Sequence, residues 1–218
     1  MSFGKKRILP VVVAVALFAL SGNLWAGLFF DNGGPNGEPG GLVNNTVVSA
    51  EDFTVSAPTV LESMTFWTLE DPGAHDGTVI YTIYGDAGGS PSDTIITSVF
   101  NPAYSKALVG NVGNWAEYVY TIDLSAAPEL NAGTYWMALN LETFGDANDA
   151  MIFWEHTDAG LGDPGHVISL ANYGFGWFSL GAEHAFNLTG RVSSPAPLVL
   201  MCLGVALFGF SSRLRARQ

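Results

Sequence analysis

Between residues 27 and 192 the apolar positions recur with the two-residue period of β-strands. From Thr78 the order Thr-Val-Ile-Tyr-Thr-Ile-Tyr puts Val79, Tyr81 and Ile83 on one face and Ile80 and Tyr84 on the other. Trp115, Glu117, Val119 and Thr121 oppose Ala116, Tyr118, Tyr120 and Ile122 in the same way. Further runs rich in β-branched and aromatic residues are Asp52 to Ser56, Val60 to Leu69, Thr94 to Phe100, Thr134 to Leu141, Met151 to Glu155, His166 to Ala171, Phe175 to Leu180 and His184 to Leu188. Gly, Pro, Asn and Asp punctuate them. No stretch of ten residues carries a 3.6-residue apolar stripe, so helices are not expected in this region. Leu28 to Gly41, half Gly and Pro, reads as a loop or irregular edge, and Asp123 to Gly133 as a loop into the next strand. The pattern predicts an all-β body, a two-sheet β-sandwich of jelly-roll-like type.

The two ends follow a different pattern. Residues 1–26 place Lys5, Lys6 and Arg7 before an apolar run from Ile8 to Leu20, a polar break, and Leu24-Trp25-Ala26. This is the layout of a signal peptide helix cleaved between Ala26 and Gly27. Residues 193–218 place Pro195, Ala196 and Pro197 before the uncharged run Leu198 to Phe210 and a cluster of Arg213, Arg215 and Arg217. That run predicts a short transmembrane helix. At 13 residues it falls below the roughly 20 of a full span, and the arginines favour its retention on the cytoplasmic side.

Charge narrows the function classes. The body from residue 27 to 192 holds Lys106 and Arg191 against all twenty acids, a formal charge of −18. Such a surface repels nucleic acid and anionic lipid and attracts cations, so nucleic-acid binding is discarded. The one cysteine, Cys202, lies in the C-terminal apolar run, so no disulfide can form within the body.

A proline-containing motif, an apolar helix carrying Gly204 and Gly209, and a terminal arginine cluster together resemble the PEP-CTERM sorting signal of Gram-negative bacteria. Ser194-Pro195-Ala196-Pro197 stands where that family usually has Val-Pro-Glu-Pro. The resemblance implies processing by an exosortase at the inner membrane and delivery to the cell surface or extracellular matrix. The strand and turn pattern of Asp52-Phe53-Thr54-Val55, Ile83-Tyr84-Gly85-Asp86 and Gly133-Thr134-Tyr135-Trp136 is similar to the β-sandwich ectodomains that precede such tails.

Motifs of catalysis are sparse. Gly160-Leu161-Gly162-Asp163-Pro164-Gly165 matches a nucleotide-binding string, but Asp163 would oppose phosphate and Pro164 removes an amide donor, so it reads as a turn. His75, His156, His166 and His184 are scattered singly and are expected in solvent or turns. A glycosidase would need two carboxyls flanking a cleft, and Glu117, Glu142 and Glu155 are candidates by residue type alone.

Two kinds of site remain. Extracellular loops rich in Asp, Asn and carbonyl oxygens can bind calcium, and the candidate ligands are Asp31 and Glu38 in one loop and Asp146 and Asp149 in another. Aromatic faces hold sugars by stacking, and the candidates are Trp67, Trp136, Trp154 and Trp177. Adjacent Tyr135 and Trp136 point to opposite faces of a strand, so at most one of the two sits in the core of a single sandwich. The resemblance to PEP-CTERM proteins implies a non-catalytic structural or adhesive protein of an exopolysaccharide or biofilm matrix. The rival reading is a secreted carbohydrate-active enzyme.

Overall fold

The computed structural model describes residues 27–44, 46–75, 77–142, 151–160, 162–169 and 176–193. The expected signal segment with Ala26, the sorting residues Pro195, Ala196, Pro197, Arg213, Arg215 and Arg217, and the loop acids Asp146 and Asp149 lie outside them.

Every element among the described residues is a strand. In chain order they are β1 (Gly27–Asp31), β2 (Pro39–Leu42), β3 (Val47–Val55), β4 (Thr59–Glu70), β5 (Ile80–Asp86), β6 (Pro91–Phe100) and β7 (Tyr104–Val112). There follow β8 (Trp115–Asp123), β9 (Gly133–Asn140), β10 (Ile152–Thr157), β11 (His166–Ser169), β12 (Phe178–Ser179), β13 (Glu183–His184) and β14 (Phe186–Val192). No described helix is long and apolar enough to cross a membrane.

The strands form two sheets in which neighbours run antiparallel. The first has the order β1-β14-β4-β10-β13, with β8 on β4, β7 on β8 and β2 on β10. The second has the order β12-β11-β3-β9-β5-β6. From β3 onward the chain crosses between sheets at seven of its eleven connections: β3 lies in the second, β4 in the first, β5 and β6 in the second, β7 and β8 in the first, and so on to β14. Each sheet therefore joins a local hairpin, β7–β8 in the first and β5–β6 in the second, to segments far apart in sequence.

The core lies between the sheets. Phe53, Tyr81, Ile83, Met137 and Leu139 enter it from the second sheet, and Leu61, Met64, Phe66, Tyr120, Ile122, Trp154, Phe186 and Leu188 from the first. Phe66 stacks on Tyr120 with ring centroids 5.0 Å apart, and Phe30 packs on Phe186 at 5.2 Å. Full burial of each such side chain contributes roughly 1.5–3 kcal/mol. In a body without cysteine this apolar layer carries the stability that disulfides supply elsewhere.

Three strands depart from the sequence reading. The Gly- and Pro-rich stretch from Leu28 to Gly41, expected as a loop or an irregular edge, contributes β1, an edge strand whose register shifts between Leu28 and Phe30, and β2, which pairs with β10. Its glycines mark close approach: a Cβ on Gly40 would overlap the Trp154 carbonyl oxygen, and one on Gly41 would overlap Ser49 Oγ. β7 was hidden for another reason. It pairs only with β8, Leu108 and Val109 are both exposed, and the register shifts between Leu108 and Gly110, so no clean alternation survives.

Candidate functional site

A cleft opens on the outer face of the second sheet. The core-facing residues of β5 are Tyr81 and Ile83, so Ile80, Thr82 and Tyr84 turn outward. Beside them Ala138 and Asn140 of β9, Val48 of β3 and Ile168 of β11 turn the same way, and together with Trp177 they line a depression of about 390 Å³. The half-buried Trp177 ring stands edge-on to Tyr84, with centroids 5.4 Å apart. Thr82 and Ser98 hydroxyls share a hydrogen bond of 2.8 Å nearby, and Ser92, Asp93 and Asn140 add polar groups to the wall. An aromatic surface beside hydroxyl, amide and carboxylate groups is suited to a sugar, whose C–H face stacks on a ring while its hydroxyls hydrogen-bond.

Trp136 lies under this face without reaching solvent. It is fully buried in a small second cluster with Val48, Ala50 and Ala138, against which Tyr84, Ile168 and Trp177 pack. The His166 ring meets it edge-on at 4.8 Å, and its Nε1 donates to Asp86 Oδ1 at 2.9 Å. That bond, reinforced by the backbone N–H groups of Gly88 and Gly89, holds the Asp86 carboxyl below its ordinary range.

A second assembly sits deeper, where β3 meets β13. Glu51, Asp52 and Glu183 are 0, 4 and 8 % exposed, and one carboxylate oxygen from each lies within 4.8 Å of the others. His184 orders one side. Its Nε2 accepts from the Gly41 N–H at 3.0 Å, so the ring proton resides on Nδ1, which donates to Glu51 Oε2 at 2.7 Å. The His184 backbone N–H donates to the same oxygen at 2.7 Å. Burial, followed by the neighbouring His156, lowers the His184 pKa to about 3, so the ring is neutral at physiological pH. Burial first and the Glu183 charge second push the Glu51 carboxyl well above its usual range, and the same pair of causes raises Asp52 to about 7.

The glycines of the nucleotide-like string make this closure possible. A Cβ on Gly162, at φ +125°, would overlap Asp52 Oδ1, and one on Gly165 would overlap the His184 ring and lie 2.7 Å from Glu51 Oε2. Residues 162–165, bent at Gly162 and Asp163, pack backbone directly over the carboxylates.

The expected site residues fall in different places. Trp154 is sealed in the main core, with Nε1 donating to the Ala185 carbonyl at 2.9 Å, and neither it nor Trp136 offers a face to a saccharide. Trp67 is half-buried and sits on the first sheet opposite in direction to the core residue Phe66, remote from the Trp177 cleft. Of Tyr135 and Trp136 it is Tyr135 that faces the main core, stacked on Phe53 at 5.9 Å. Asp31 and Glu38 are exposed; Asp31 Oδ1 caps the Gly33 N–H at 2.9 Å, and the Glu38 N–H is held by Asn36 Oδ1. Neither belongs to the buried carboxylate group. His184 and His166, expected in solvent or turns, are buried in strands. Glu142 and Glu155 are buried and Glu117 is half-buried, and none of the three lines the cleft.

Sequence reasoning missed Glu51, Asp52 and Glu183 altogether. The signal was there in part: two consecutive acids within a strand cannot both face solvent on a sheet covered on one side.

No protein-family model and no curated protein matches the chain. Among solved structures it is similar to the crystal structure of the cysteine protease and lectin-like domains of Cwp84, a surface layer associated protein of Clostridium difficile. The identity is 13 % and the TM-score 0.44, over 68 % of this chain and 33 % of that one. The chain thus spans about a third of that protein's length.

Proposed function

We propose that this chain is an exported, non-enzymatic adhesive or structural protein that binds an extracellular polysaccharide through the outer face of its second sheet. The cleft walled by Trp177 and Tyr84 carries the reading: an aromatic pair flanked by hydroxyl, amide and carboxylate groups meets the two needs of saccharide recognition, stacking and directional hydrogen bonds. The crossing of the chain between sheets supports a jelly-roll type of sandwich, whose sheet faces commonly serve as binding platforms. The basic and apolar layout of residues 1–26 and 193–218 supports export, a transient stay in the inner membrane, and exosortase processing to the surface.

The test is a titration of tryptophan emission with the exopolysaccharide of the native cells. Saturable quenching in the parent chain, lost in Trp177→Ala with no more than a few degrees' change in melting temperature, is the expected result. No change in emission at any polymer concentration would overturn the cleft assignment, and release of product sugars would assign the chain to carbohydrate-active enzymes. Terminal mass mapping of protein from membranes and medium, with and without the exosortase, tests export separately. A species beginning near Gly27 and ending near Pro195 to Pro197 is expected, and retention of Arg217 in every fraction would refute sorting.

A further inference from the structure

Glu51 and Asp52 are consecutive on β3 and start on opposite faces of the second sheet, whereas Glu183 belongs to β13 of the first. Their oxygens nevertheless converge to within 4.8 Å of one another beside the backbone of Gly162 and Gly165, where a Cβ would overlap Asp52 or Glu51. Three buried carboxylates with oxygens within 4.8 Å of one another are costly unless protons or a cation neutralise them. The basic side chains among the described residues do not: Lys106 is held by Glu70 at 2.6 Å and Arg191 by Glu62 at 3.8 Å.

The hydrogen bonding leaves specific oxygens open. Both donors from His184 land on Glu51 Oε2, and Glu51 Oε1, fully buried, has no partner. Asp52 Oδ1 is also buried without a partner. A neutral residue outside the acidic trio is placed alongside. Asn32, fully buried just after β1, points its amide at the group, with Nδ2 3.2 Å from Glu183 Oε2 and 3.0 Å from the His184 carbonyl, and its Oδ1 is again unpartnered. Native interiors seldom leave three such oxygens unmatched in one place.

We propose that Glu51, Asp52 and Glu183, supported by Asn32, form a buried calcium site that ties the two sheets together. The donors are all oxygen, which suits a hard cation, and the 4.8 Å span is that of two oxygens across an ion coordinated at roughly 2.3–2.6 Å. His184 is not available as a zinc ligand, since Nδ1 is committed to Glu51 and Nε2 to Gly41. A buried set of protein oxygens favours calcium over magnesium, which keeps several waters. The ion joins residues 51 and 183, and so closes a long loop between β3 and β13 in the manner of a cross-link. This site is distinct from the Trp177 cleft and does not rest on the saccharide reading.

The test uses the full chain in mild detergent, stripped with chelator and titrated with calcium chloride near neutral pH by calorimetry and thermal melting. One ion per chain is expected, with a midpoint below about 1 mM and a rise in melting temperature of roughly 3–6 °C at tenfold excess. Asp52→Asn and Glu183→Gln are each expected to weaken binding at least about tenfold while leaving the chelated protein as stable as the parent, since each removes a repelling charge. Terbium luminescence excited through tryptophan and reversed by calcium reads the same site without a variant, because the Trp154 ring stacks on His184 at 4.7 Å. Absence of heat and an unchanged melting temperature in about 5 mM calcium would overturn the proposal. Parent-like affinity in both variants would do so as well, by placing any bound ion elsewhere.

Discussion

Tyr120 donates its phenolic proton to Glu70 Oε1 at 2.7 Å, at the point where β4 and β8 leave the apolar core. Thr68 Oγ1 donates to the same oxygen at 2.7 Å, and Lys106 Nζ reaches across from β7 to the other at 2.6 Å. The lysine also lies 3.9 Å from the Tyr118 ring centroid. Burial, then the Glu70 charge, pushes the Tyr120 phenol far above its ordinary range, so it remains a donor at any accessible pH. A carboxylate in the interior is thus matched by two hydroxyls and one ammonium, and the ammonium is the part that neutralises it.

Removing that ammonium leaves Glu70 buried and uncompensated. Lys106→Met is expected to destabilise the fold by about 1–3 kcal/mol, less than a fully enclosed pair would lose because the lysine is partly solvated. Adding Glu70→Gln should return part of the loss, since the amide no longer needs a counter-charge. Denaturant midpoints of the two single variants and the double variant check this. Strict additivity would contradict the coupling.

The alternation of Tyr81 with Thr82 and of Ala116 with Glu117 was legible because each residue keeps one face toward the core. So were the all-β character and the position of most strands. The parts that stayed hidden share a cause: they are set by partners distant in sequence. β1 and β2 are strands because β14 and β10 supply hydrogen bonds to a Gly- and Pro-rich chain. Trp136 is buried on an outer face because β11 brings His166 over it, and residues 136 and 166 carry no local sign of that contact. The Glu51, Asp52 and Glu183 group requires a turn more than a hundred residues downstream of β3. Composition pointed to cations through the acidic balance, but it directed attention to exposed loop acids such as Asp31, whose carboxylate caps its own turn.

The four candidate tryptophans should separate by experiment. Trp154→Ala empties a site in the middle of the core and orphans the Ala185 carbonyl, and is expected to cost about 3–5 kcal/mol. Trp177→Ala removes a half-buried ring from the cleft wall and should cost no more than about 1 kcal/mol. Equal losses of melting temperature in the two variants would show that Trp177 is a core residue and unsuited to binding.

Glycine replacements offer a similar contrast. Gly165→Ala forces a methyl group into His184 and Glu51, neither of which can retreat from its hydrogen bonds, and is expected to destabilise by about 1–3 kcal/mol. Gly34→Ala meets nothing within 4 Å at an ordinary backbone angle, and should be neutral or stabilising by up to about 1 kcal/mol through the unfolded chain. Thermal melts of both variants decide the matter, and a harmless Gly165→Ala would mean that the turn does not press on β3.

Glu155 supplies a pH dependence of definite sign. Burial raises its carboxyl from the ordinary 4.5 to about 7, the Gly37 N–H at 2.8 Å draws it back, and the nearby Glu117 charge adds a smaller upward push. The folded chain therefore holds a proton between these values that the unfolded chain has released. Where the native state binds more protons, stability falls as pH rises, so the loss develops from about pH 4.5 to 7 and is complete above that range. Glu155→Gln carries a neutral group at every pH and can still accept from Gly37. The variant is expected to exceed the parent in stability at pH 8, by on the order of 1 kcal/mol, with the difference vanishing near pH 4. Denaturant midpoints of both proteins across that range measure the difference directly. A gap that stays constant with pH would mean that the carboxyl ionises at its ordinary value in the folded protein.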